Sequence, residues 1–156
     1  MQKYFVLVGL LFVLLSCQEE EEAKLYSKFE LSSPELGVTK TIWLYLPGDY
    51  SQSGNTYPVI YFSDAQWLFE ANPNYSQEMH VDEKLREMET NGFPGVIVVG
   101  IESDENTRHE DFSLYPSRDQ LGGKGQAYLD FITQTLKPKI DAQYRTRPDR
   151  SNTAIM

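Results

Sequence analysis

From Gly95 to Ile101 the chain reads Gly-Val-Ile-Val-Val-Gly-Ile, seven residues without one polar side chain. A strand with one wet face would alternate apolar and polar residues. A short, continuous, β-branched run predicts instead a strand covered on both faces, the usual condition of a parallel strand. Such a strand needs a layer of structure above it and another below. The flanking sequence offers two helices for that purpose. Val81, Leu85 and Met88 recur at helical spacing, with Asn91-Gly92 as a stop signal. Downstream, Tyr128, Phe131, Ile132, Thr135 and Leu136 share one face of a second amphipathic helix, expected to close near Pro138.

Before this helical pair, Leu25 to Leu31 alternates with period two, as does part of Thr41 to Leu46, with turn residues Pro34-Glu35-Leu36-Gly37 between them. These segments predict two antiparallel strands. Tyr57 to Phe62 is a further apolar, β-rich run ending at Ser63-Asp64, and Asn152 to Met156 is another. Glu102 to Lys124 is polar, rich in turn residues and without periodicity. The resulting order is strand, strand, strand, helix, strand, helix, strand, which is that of an α/β sheet with an antiparallel opening. No internal repeat or linker divides it.

The first 16 residues are of a different kind. Lys3 precedes an apolar run from Phe5 to Leu15 broken only by Gly9. The run is shorter than the ~20 residues a spanning helix needs, and has the size of a signal-peptide core. It ends Leu14-Leu15-Ser16-Cys17, which resembles a bacterial lipobox, and Cys17 is the only cysteine. Residues 1–16 are therefore expected to be a lipoprotein signal peptide, with Cys17 as the lipidation site. Residues 17–23, which include Glu19 to Glu22, form an acidic, solvated tether. That acidic run resembles the surface-export signal of Bacteroidetes lipoproteins, so the expected location is the cell envelope, with exposure on the outer-membrane surface as one form of it. Acyl chains would then hold the protein to a membrane without a spanning helix. With 23 acidic against 14 basic residues and a net charge of -9, nucleic acid is not an expected partner. A single cysteine excludes a disulfide framework and a cysteine-based zinc site.

Residues 24–156 contain six ordered segments that resemble one family. They are Gly37 to Tyr50; Tyr57-Pro58-Val59-Ile60-Tyr61-Phe62-Ser63-Asp64-Ala65-Gln66-Trp67-Leu68-Phe69; Val98 to Ile101; Arg108 to Ser113 with Pro116; Lys137 to Asp141 with Tyr144-Arg145-Thr146; and Asn152 to Met156. Together they resemble the N-terminal portion of the esterase D and enterochelin-esterase-like branch of the α/β-hydrolases. The resemblance implies a three-layer α/β/α hydrolase sheet, here incomplete and ending at its fifth strand. It also implies a serine on a sharp turn after that strand, a histidine base, an orienting acid and two backbone N–H donors for the oxyanion. The 156 residues contain no G-x-S-x-G motif. Asn152 to Met156 matches the strand that leads into the serine turn, so nucleophile, acid and base are expected to be absent from this chain.

By position, the resemblance assigns one oxyanion donor to the main-chain N–H of Gln66, in Asp64-Ala65-Gln66 where the family usually has Asp-Gly-Gln. Alanine at a position that needed positive φ would be poorly tolerated. Asp64 and Trp67 are expected to line the substrate site, and Arg108, Asp111 and Phe112 match a segment at its mouth, where charge pairing within the loop is the simpler account. The implied substrates are small-molecule or polysaccharide esters, from acetyl or feruloyl groups to siderophore-type esters, with no cofactor and no metal. His80 and His109 both precede the serine position, which does not fit the order serine, acid, histidine. Asp82 and Glu83 beside His80 read as first-turn acids of a helix rather than ligands, and the charges from Glu83 to Glu89 as a solvated helix face. The contrasting reading is a non-enzymatic surface lipoprotein that keeps only a binding pocket, or a decayed hydrolase.

Overall fold

The alternating N-terminal segments pair as expected. The computed structural model describes residues 24–71, 77–118 and 122–156. The signal segment, the tether and Cys17 lie outside the described residues. Strand β1 (Tyr26–Ser33) and strand β2 (Val38–Tyr45) form an antiparallel hairpin in register from Tyr26 opposite Tyr45 to Ser33 opposite Val38. Strand β3 (Val59–Ser63) and strand β4 (Ile97–Ile101) are parallel, and β4 also pairs antiparallel with β2. Strand β5 (Thr153–Ile155) runs parallel to β3. The sheet order is β1-β2-β4-β3-β5. This is a mixed α/β sheet with an antiparallel opening, as expected. The apolar run 95–101 thus has a parallel neighbour on one side only, but every residue of β4 is buried.

Period-two alternation sends neighbouring residues of β2 into different cores. Ile42 and Leu44 join Val59, Tyr61, Val99 and Ile101 beneath Phe131, Ile132, Leu136 and Ile140. Trp43 and Tyr45 join Val98 with Ala65, Leu68 and Phe69, and helix α1 (Val81–Thr90) contributes Val81 and Leu85 there. Each fully buried aliphatic side chain contributes about 1.5–3 kcal/mol, so the two faces hold the sheet from both sides. Met88, at helical spacing with them, is instead 48% exposed.

Two further expectations are corrected. The polar stretch 102–124 contains a short helix, α2 (Arg108–Asp111), in which Asp111 is buried. The second amphipathic helix does not close near Pro138. Helix α3 (Gly125–Asp130) runs without a break through a π-helical stretch, Phe131–Leu136, into helix α4 (Lys137–Gln143). Proline has no N–H to donate and its ring crowds the preceding turn. Here it stands in the first turn of α4, directly after the wider π register, where it is accommodated without breaking the run.

The apolar segment also contains a glycine with a packing reason. A Cβ on Gly100 would lie 2.7 Å from the Ala65 Cβ and 3.0 Å from the Leu68 Cδ1. The turn after β3 therefore sits directly on β4, at the end of the sheet where the loops of the parallel strands gather.

Candidate functional site

At the C-terminal end of β3 the chain turns through Asp64 into a single turn of 3-10 helix, Ala65–Trp67. The turn begins with a left-handed residue, Asp64, at φ 60 and ψ 45. Positive φ is therefore required at position 64 and not at 65. Aspartate is among the few residues that tolerate it, so the alanine in place of glycine meets no backbone conflict. Ala65 is fully buried against Gly100. Within the turn, the Trp67 N–H donates to the Asp64 carbonyl at 3.3 Å and the Leu68 N–H to the Ala65 carbonyl at 3.0 Å. Those bonds leave the N–H groups of Ala65 and Gln66, the first two of the turn, unused by it, as helix starts generally do.

The Asp64 carboxylate is held in a fork by Arg108, with Nε to Oδ1 at 2.7 Å and a terminal guanidinium nitrogen to Oδ2 at 2.5 Å. Burial acts to raise the Asp64 pKa, but the Arg108 hydrogen bond, with further support from Ser103 and Gln66, overcomes it and holds the group below the usual carboxylate range. The Gln66 side chain is buried, and its Oε1 accepts from the Ser103 main-chain N–H at 3.1 Å. Ser63, the last residue of β3, has its hydroxyl 3.0 Å from that of Tyr128, whose pKa burial pushes up to about 12. The Trp67 carbonyl accepts from the Met79 N–H at 2.8 Å, and its side chain borders a cleft with Gln77, Met79 and His80.

Strand β5 ends beside this turn. Tyr61 stands opposite Ile155, the Ser63 N–H donates to the Met156 carbonyl at 3.0 Å, and the Met156 N–H donates to the Tyr61 carbonyl at 2.8 Å. The end of β5 and the start of the Asp64–Trp67 turn are thus adjacent at the carboxyl edge of the parallel strands, where open α/β sheets place their ligands.

Several charged residues lie in unexpected company. Arg108, Glu110 and Asp111 do not pair with one another. Arg108 reaches Asp64, Glu110 pairs with Lys124 at 2.5 Å, and Asp111 pairs with Lys40 at 2.6 Å in the interior. Because Asp111 is committed to Lys40, it does not orient His109, which is exposed. His80 stands with Glu78 and Glu83, its Nδ1 3.5 Å from a carboxylate oxygen of each, and not with Asp82. Asp82 is a first-turn acid of α1, as expected, but is only 3% exposed. Glu89 also leaves the solvated helix face. It accepts from the Tyr45 hydroxyl at 2.8 Å and the Gly48 N–H at 2.9 Å. Glu70, which carries no sequence signal, accepts from Lys24, Lys28 and the Tyr26 hydroxyl. Burial works to raise its pKa, yet these donors, Lys28 foremost, bring it to about 2.

Among solved structures the fold is similar to that of an IroE-like serine hydrolase from Shewanella oneidensis, at 28% identity and TM-score 0.62, over 78% of this chain and 39% of that one. It is similar to the BES protein from Bacillus cereus, at 20% identity and TM-score 0.65, over 85% of this chain and 51% of that one. It is also similar to the enterobactin esterase FES from Shigella flexneri, at 15% identity and TM-score 0.62, over 82% of this chain and 29% of that one. The last two likenesses speak to the fold alone. The chain spans about half the length of these proteins or less. No curated protein matches it. The profile of the family described as "Putative esterase" matches residues 33–156.

Proposed function

The chain belongs to this esterase family, and from that membership we propose that its residues form the N-terminal part of a lipid-anchored serine esterase cleaving carboxylic esters through an acyl-enzyme. The observation that carries the proposal is the adjacency of the β5 end to the Asp64–Trp67 turn. In an α/β-hydrolase the serine sits on a sharp turn directly after such a strand, and one oxyanion donor comes from the loop after the third strand. Here that donor is the Gln66 main-chain N–H, rigidly held because its own side chain is bonded to the Ser103 N–H. A donor fixed in advance stabilises the negative oxygen of the tetrahedral intermediate without reorganising during reaction. Asp64 and Trp67 border the site. Nucleophile, base and acid come from residues other than these 156. Residues 1–16 act as a signal, Cys17 carries the lipid anchor, residues 17–23 are the tether, and residues 24–156 are the hydrolase portion, placed at the cell envelope. The substrates are esters of small molecules or polysaccharides, the siderophore-type esters included.

The purified 156-residue chain is expected to hydrolyse p-nitrophenyl acetate no faster than buffer, while the same residues continued through a serine-bearing remainder hydrolyse it. Hydrolysis by the 156-residue chain that a serine-directed phosphonate abolishes would overturn the proposal. A reading frame closed directly after codon 156 would favour the non-enzymatic surface lipoprotein instead.

A further inference from the structure

Among the described residues only Asp64 and His80 are non-glycine residues at positive φ. For Asp64 that conformation decides where the next two N–H groups point, because it is the hinge between β3 and the 3-10 turn. Aspartate tolerates the left-handed conformation, at a cost that fixed bonds to its side chain can offset. What holds it is visible. The two bonds from Arg108 occupy both carboxylate oxygens, and a bidentate fork fixes the plane of a carboxylate as a single bond cannot.

Arg108 is itself held. It is the first residue of α2, its N–H donates to the Asp104 carbonyl at 2.7 Å, and its guanidinium lies 4.9 Å from the centre of the Phe112 ring. The last residue of α2, Asp111, is tied to Lys40 of β2 by the buried ion pair. A mechanical path thus runs from the sheet through Lys40, Asp111, Arg108 and Asp64 to the Gln66 N–H. The bond from the Ser103 N–H to the Gln66 side chain braces the same turn from the loop after β4.

We propose that Arg108 is a positioning residue for the oxyanion donor: by clamping Asp64 in the left-handed conformation it aims the Gln66 main-chain N–H, and the Asp64 carboxylate, at the border of the site, is engaged by Arg108 rather than by substrate. The proposal rests on the esterase reading for its catalytic meaning, but its structural half can be measured without catalysis.

Amide hydrogen exchange of the 156-residue chain supplies that half. In Arg108→Ala, exchange at the Trp67 and Leu68 amides should rise about tenfold, the effect of removing the support of one left-handed residue, with β3 and β4 unchanged. Adding Asp64→Gly should bring exchange back, because glycine takes positive φ without a clamp. Unchanged exchange in Arg108→Ala overturns the proposal, as does failure of Asp64→Gly to restore it. If Arg108→Ala unfolds the chain, refolding in the double variant supports the proposal and persistent unfolding overturns it. In a serine-bearing longer form, Arg108→Ala should lower kcat about tenfold or more and leave KM within about twofold, with recovery in the double variant. A loss confined to KM would make Arg108 a substrate-binding residue and overturn it. Exchange that behaves as expected in a longer form lacking esterase activity supports the clamp and removes the esterase reading.

Discussion

Replacing Lys40 by methionine should cost about 3–5 kcal/mol of stability, because it strands the Asp111 carboxylate in the interior without a counter-charge. Lys40 is 7% and Asp111 5% exposed, and their charged atoms are 2.6 Å apart. For a domain whose whole stability is about 5–15 kcal/mol, that loss would leave little. The companion experiment is Lys40→Met with Asp111→Leu, which removes both charges and should recover most of the loss, since apolar replacement of a buried pair is often neutral or better. Urea unfolding at constant slope measures both. A single-variant loss below about 1 kcal/mol, as for exposed ion pairs, would contradict the assignment.

The second large effect concerns pH. Asp82 is buried at the start of α1, one of its carboxylate oxygens lacks a hydrogen-bond partner among the described residues, and Glu83 lies beside it. Burial first, and then the Glu83 carboxylate, push the Asp82 carboxyl up to about 7 from its ordinary 3.8. The folded chain therefore binds more protons than the unfolded chain between those two values. The Asp82 contribution to stability is therefore fully present below the ordinary carboxylate range and is lost as pH rises through about 7. Glu83 is shifted the other way and offsets part of this. Asp82→Asn should flatten the dependence and raise the unfolding temperature at pH 8 far more than at pH 5. Parallel pH profiles for the two proteins would count against it.

The parts of the fold that were legible from sequence are those set by local patterning. The run from Gly95 to Ile101 reads correctly as a strand buried on both faces, because no polar side chain interrupts it. The β1–β2 hairpin and α1 follow from their periods. What escaped depends on partners far apart in the chain. Lys40 and Asp111 are separated by 71 positions and Asp64 and Arg108 by 44, and nothing in either local sequence marks the pairing. Opposite charges in the loops after two consecutive strands are the only hint of the second. The continuation past Pro138 was hidden because a π-helical stretch has no distinct sequence signature to announce it. At the candidate site, the position of Gln66 followed from family resemblance, whereas the backbone demand fell one residue earlier than expected, on Asp64.

The central claim is that these residues supply an oxyanion donor to a serine lying outside them. The most direct measurement is to treat cells making the protein with a fluorophosphonate probe, isolate the protein through an antibody to residues 24–156, and map the modified peptide by mass spectrometry. The account predicts one labelled serine, within a glycine-flanked motif and outside residues 1–156. A probe adduct on a serine within these residues, such as Ser63, Ser103 or Ser113, would contradict it.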